Sequence, residues 1–265
     1  SEVLQFSYSM FSTGWINYWP KIDVTVNFNQ MIGVNNLSLG IMLDHEWKSW
    51  RDCSLSRELA HNANIKLVRI FDWKSISPNP VIYWNESSRT GTFDWTDVDL
   101  LVERIFEIGA EPFFCLGGYY DGTSRIPLGM TVNPDTNLPY PDSFAAYAAE
   151  WVKHFKKVGL PVKYYQIVNE PFQYFGWNPS GTKKLANYVE LWNAAARSMR
   201  QENPNIFISH DAITQKRVLD FWLQHGDDVD YLDFHKYDSG GVGQYSDVEM
   251  FRRAETLWFE TGTTV

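Results

Sequence analysis

Short apolar runs recur along the chain, each bounded by turn residues. They lie at 37–43 (LSLGIML), 65–71 (IKLVRIF), 111–118 (EPFFCLGG), 163–168 (KYYQIV), 205–210 (NIFISH) and 231–237 (YLDFHKY). Runs of this length, rich in branched and aromatic residues, predict six buried strands. Between them the apolar residues take helical spacing. Val98, Leu101, Ile105 and Ile108 predict a helix over 96–108 with Gly109 just past its end. Asp142 is read as the N-cap of a helix running to about 158 and stopped by Gly159. Leu185, Tyr188, Val189, Trp192, Ala196 and Met199 share one face of a helix over 182–200, and a further helix spans 213–225 before Gly226. Val248, Phe251, Ala254, Leu257 and Trp258 continue the spacing in a last helix that stops at Gly262. Alternating strands and helices predict parallel strands covered by helices.

Two α/β architectures fit that alternation, the open doubly wound sheet and the closed eight-stranded barrel. The first run is followed by DHEWKSW, a polar and aromatic loop with nothing to cradle a phosphate, and SGGVG at 239–243 lacks the Gly-Lys-Ser/Thr ending of a phosphate loop. The pattern therefore favours a TIM (β/α)8 barrel, with this chain supplying about six βα units over 37–265. Residues 6–11 (FSYSMF) and 22–29 (IDVTVNFN) alternate instead, which predicts an antiparallel β-hairpin extension over 1–36. A partial barrel of six strands leaves two open edges. The expectation is that the remaining two βα units lie on a second polypeptide fragment completing the barrel, were removed by proteolysis, or are missing.

Composition narrows the partners. The chain has 265 residues, 44% hydrophobic, enough to bury a sizeable core, and a net charge of −9 that argues against nucleic acid or an anionic membrane surface. No apolar run is long enough to span a bilayer. Two cysteines, Cys53 and Cys115, build neither a disulfide framework nor a metal site, no His-Glu-x-x-His spacing occurs, and no cofactor or metal is expected. Asn36-Leu37-Ser38 and Asn85-Glu86-Ser87 match the glycosylation acceptor pattern and point to an extracellular protein. Aromatic residues make up 16% of the chain, with 12 Trp, a surplus that suggests rings facing a ligand.

In a parallel barrel the active site lies at the carboxyl ends of the strands. The six ends offer Asp44, His45 and Glu46; Arg69 and Asp72; Tyr119, Tyr120 and Asp121; Asn169 and Glu170; His210 and Asp211; His235 and Tyr237. Asn169-Glu170-Pro171 closing the fourth strand, with Arg69 near the end of the second and His235-x-Tyr237 at the end of the sixth, resembles the clan A retaining glycoside hydrolases over about residues 37–237. That resemblance implies hydrolysis of β-glycosidic bonds in a polysaccharide, with an endo-β-1,4-glucanase as the leading case and a β-xylosidase or β-mannanase as alternatives. It implies Glu170 as general acid/base, Asn169 on the sugar 2-hydroxyl, Arg69 and Tyr237 orienting the nucleophile, and His235 lining the cleft. Trp73, Tyr119, Tyr120, Phe172, Tyr174 and Trp177 are the candidate sugar platforms.

Chemistry agrees with these roles. A poor leaving group needs a proton, and a glutamic acid with a raised pKa supplies it. Plainer readings stand beside this one. Glu170 can simply open a helix, with Pro171 at its first position; Arg69 can be a structural ion-pair partner; His210 and His235 can be satisfied core residues; and most single aromatics pack in cores. Glu260 falls in the last turn of the last predicted helix, and no strand follows to carry a nucleophile, so the nucleophile is expected outside the sequence. The same absence supports a second class of function, a carbohydrate-binding barrel without catalysis.

Overall fold

The computed structural model describes residues 3–6, 24–27, 38–73, 77–118, 126–136, 138–171, 183–210 and 216–233. The chain divides into two units, Ser1–Leu37 and Ser38–Val265. In the first, β1 (Val3–Phe6) pairs antiparallel with β2 (Val24–Asn27). The expected hairpin strand at 6–11 lies, apart from Phe6, outside the described residues, and the strand that pairs is the preceding VLQF.

The second unit is a helix-covered sheet. Its strands are β3 (Leu39–Leu43), β4 (Ile65–Phe71), β7 (Glu111–Gly118), β8 (Tyr164–Asn169), β9 (Phe207–His210) and β10 (Tyr231–Leu232). All five pairings are parallel, and the strands stand side by side in chain order, β3-β4-β7-β8-β9-β10. An open doubly wound sheet reverses its order at a switch point; this one never does. Single winding is the order of a barrel, and these six strands form part of one.

Helices α3 (Thr96–Glu107), α4 (Pro141–Val158), α5 (Lys183–Glu202) and α6 (Lys216–His225) each lead into the next strand. Three of their expected stops hold: Gly109 donates to the Phe106 carbonyl, Gly159 to Phe155 and Gly226 to Trp222. One start is corrected. Helix α4 begins at Pro141, whose fixed φ suits the first helical position, so Tyr140 is the N-cap and Asp142 lies in the first turn, 3.2 Å from Arg89. The expected helix around 248–258 lies outside the described residues.

Two features departed from the sequence pattern. DHEWKSW is not a loop, because α1 (Trp47–Asp52) and α2 (Ser54–Asn62) fill the connection between β3 and β4. A six-residue helix shows less than two turns of periodicity, and neither N-cap makes a side-chain bond that a cap motif would announce. Likewise β5 (Val81–Asn85) and β6 (Thr90–Phe93) form a hairpin after β4, turned where the Asn85 side chain accepts the Ser87 and Ser88 amides.

The sheet has two chemically distinct faces. Val68, Ile70, Phe114, Leu116, Tyr165, Ile167 and Ile208 are buried in the core shared with the helices. Alternation puts Arg69, Phe71, Phe113, Cys115, Gln166 and Ser209 on the opposite, inner face. The helix-side core centres on Trp151 of α4, fully buried, with its ring 5.0 Å from Phe114 and 5.1 Å from Trp95. Removing so large a buried ring leaves a cavity, and Trp151→Ala is expected to cost about 3–5 kcal/mol, read as a lowered urea midpoint. A loss under about 1 kcal/mol would contradict this packing.

Candidate active site

The inner face explains the carboxyl end of β8. Gln166 is a fully buried amide two residues from the strand's first inner ring, Tyr164, and Asn169 is nearly as buried. Arg69 of β4 reaches both across the intervening β7, a distance of two strand spacings or about 10 Å. Its Nη2 donates to Gln166 Oε1 at 2.5 Å and to Asn169 Oδ1 at 2.7 Å. The guanidinium passes over the rings of Phe71 and Phe113, 4.6 and 5.8 Å from their centroids. A lysine on the same stem offers a compact point charge and no planar group to lie on the aromatic faces.

This pairing sets the orientation of Asn169. Arginine only donates, so the amide oxygen must face it, which turns the amide NH2 donors elsewhere. A donor held in place at a strand end suits an approaching hydroxyl group. On either side of Asn169 the backbone is left-handed, with φ of +64° at Val168 and +49° at Glu170. For a β-branched residue such a φ costs on the order of 1–3 kcal/mol. The strand thus ends in a strained turn that sets down Glu170, partly buried, directly after the fixed amide. Residues 172–182, which follow Pro171, lie outside the described residues.

A second link braces the same strand ends. Asp72, just past β4, is 1% exposed; its Oδ1 accepts the Gly117 amide at 2.9 Å and its Oδ2 the Tyr147 hydroxyl at 2.8 Å. Burial pushes the Tyr147 phenol well above its ordinary pKa, and the Asp72 carboxylate adds to the shift.

The structure brings Arg69 and Asn169 together and places Glu170 beside them. Trp73 has a 5% exposed ring, stacked on Phe71 at 4.1 Å between centroids and lying over Gly118. Tyr119, Tyr120, Asp121, Phe172, Tyr174, Trp177, Asp211, His235, Tyr237 and Glu260 lie outside the described residues. Gln166 and Tyr147 were not singled out from sequence. For Gln166 a signal existed, a lone amide at an inner position of the otherwise apolar YYQIV; Tyr147 gave none, because it reads as one more ring on a helix face. Among the described residues no three His, Cys, Asp or Glu side chains cluster to hold a metal, and no helix is long and apolar enough to cross a membrane.

The singly wound sheet has the fold seen in solved glycoside hydrolase barrels. Similar solved structures include the GH39 enzyme from Xanthomonas axonopodis pv. citri, 15% identical with a TM-score of 0.57 over 86% of this chain and 48% of that one. A monomeric β-xylosidase from Caulobacter crescentus is 18% identical, TM-score 0.56, over 86% and 50% of the two chains. Two fungal β-1,4-galactanases are represented at 16% identity, TM-score 0.57, over 86% and 72%. The chain thus spans about half the length of the first two structures. No family model and no curated protein sequence matches it.

Two fully buried phenols give the fold a pH signature. Burial raises Tyr147 and Tyr165 well above the ordinary value of 10.0. A folded-state pKa above the unfolded one gives stability that is complete below pH ~10 and is lost as the pH rises from there toward the native values. Urea midpoints are accordingly expected to be insensitive to these groups up to about pH 10 and to fall above it, more steeply than in Tyr165→Phe. Equal slopes in both proteins would contradict the burial of Tyr165.

Proposed function

We propose that the chain is the part of a retaining β-glycosidase that carries its acid/base, Glu170. The observation that supports this most is the Arg69–Asn169 hydrogen bond on the inner face at the end of β8, immediately before Glu170. It leaves an oriented amide donor and a carboxyl group adjacent at a strand end, the place where barrel enzymes carry their chemistry. In this reading Asn169 binds the 2-hydroxyl of the sugar, a bond that strengthens as the oxocarbenium-like transition state forms. Glu170 protonates the departing oxygen, a nucleophilic carboxylate takes the anomeric carbon, and Glu170 then deprotonates the water that releases the sugar with its configuration retained. His235 lines the cleft and Tyr237 holds the nucleophile, roles drawn from the resemblance.

The nucleophile belongs on a seventh strand beyond the six described, with the last two βα units supplied by further polypeptide. The substrate proposed first is a β-1,4-glucan cleaved internally, outside the cell. Similar structures include a β-xylosidase and β-1,4-galactanases, so the activity screen spans glucan, xylan, mannan, galactan and the matching aryl β-glycosides.

The experiment is Glu170→Ala on two substrate types. Activity on the polysaccharide is expected to fall about 10²–10⁴-fold, the usual contribution of a positioned acid. An activated aryl glycoside, whose leaving group needs no proton, still forms the covalent intermediate, and azide should then restore turnover and appear in the product as a β-glycosyl azide. Equal loss on both substrates with no azide product would remove Glu170 from this role.

A further inference from the structure

We propose that Asp72 is a positioning residue: its carboxylate, shared between the Gly117 amide and the Tyr147 hydroxyl, holds the ends of β7 and β8 where Glu170 is presented. The proposal rests on the reading of Glu170 as the acid/base and adds to it a residue outside the cleft's contact layer.

A carboxylate 1% exposed is costly unless its oxygens are bonded. Here the two bonds lead to different elements. Oδ1 accepts the amide of Gly117, in the last turn of β7, and Oδ2 accepts the hydroxyl of Tyr147, on the inward side of α4. The end of β4 is tied back as well, since the Asp72 amide donates to the Cys115 carbonyl at 3.1 Å. Three elements therefore meet on one side chain.

What the carboxylate grips is a place where the ladder turns. Leu116 pairs with Ile167 and Gly118 with Asn169, so Gly117 stands opposite Val168. Both are left-handed, at φ +78° and +64°. Gly117 is required there, because a Cβ would lie 3.0 Å from the Phe144 ring as well as in an unfavourable conformation. Trp73 completes the grip with different chemistry: its ring lies so close over Gly118 that a Cβ there would come within 2.5 Å of it. Thus Asp72-Trp73 hold Gly117-Gly118 by a hydrogen bond and by a ring, and Gly118 is the ladder partner of Asn169. A strained turn persists only where its surroundings over-determine it. Arg69 holds this one from the side chain of Asn169, and Asp72 from the neighbouring backbone.

The test uses the active, full-length enzyme and the conservative variant Tyr147→Phe, which keeps the ring and removes one bond to Asp72. On a phenyl β-glycoside, which needs the acid, kcat is expected to fall about tenfold with KM within about twofold, the signature of a misplaced acid rather than lost binding. In a Glu170→Ala background, azide-rescued turnover of a dinitrophenyl glycoside should be unchanged by Tyr147→Phe. Equal losses in both backgrounds would mean a general structural defect and overturn the proposal. If Glu170→Ala alone left turnover intact, the acid/base reading would fail instead, so the two failures are distinct. A readout independent of activity is amide exchange: Asp72→Ala is expected to speed exchange at residues 117 and 167–170 about tenfold or more while α5 stays protected, and Asp72→Asn to do so less. Unchanged exchange at 167–170 in Asp72→Ala overturns the brace whether or not a substrate has been found.

Discussion

A guanidinium on the inner face of a parallel sheet must be paired, and the pairing of Arg69 organises this site. Its charge cannot be titrated away at accessible pH, so burial has to be met with acceptors. Gln166 and Asn169 are those acceptors, both on β8, both reached across β7. The consequence passes down the chain in one step: the oxygen of Asn169 is committed, its donors face the other way, and Glu170 follows from a backbone already turned. An inner face lined only with aliphatic residues would pack as well and orient nothing.

The helix layer supports that arrangement through its own buried carboxylate. Asp72 connects α4 to the ends of β4 and β7, and α4 is itself held by Trp151 and its ring neighbours in the outer core. The apolar packing on one face of the sheet and the polar pairing on the other are thus mechanically continuous through Tyr147 and Asp72. This is the usual division in barrels, with helices providing rigidity and strand ends providing chemistry.

Sequence periodicity located every strand of the six-stranded sheet, because buried parallel strands are near-continuous apolar runs that stand out against polar loops. It missed α1, which is too short to show a period, α2, which has no capping side chain, and the β5–β6 hairpin, whose strands are only partly buried and are joined by a turn closed through Asn85. It placed the cap of α4 two positions late, at Asp142 instead of Tyr140, because an aspartate after a proline looks the same as a cap. Arg69, Asn169 and Glu170 stood out in the sequence because Asn169-Glu170-Pro171 closes an apolar run and, together with Arg69 on another, resembles a known motif. Gln166 and Tyr147 were not, since what matters about each is a partner roughly 70 to 100 residues away in sequence. The contact of Trp73 with Gly118 was hidden for a complementary reason: an aromatic ring after a strand reads the same whether it faces a sugar or the backbone of the next strand.

The double displacement proposed for this sheet end is reported directly by the stereochemistry of the first-formed product. Proton NMR of the anomeric region, followed from the first minutes of hydrolysis before mutarotation, is expected to show the β-anomer accumulating first, since two inversions at the anomeric carbon restore its configuration. Initial accumulation of the α-anomer would mean a single displacement by water, and the roles assigned to Glu170 and to its supporting residues would have to be withdrawn.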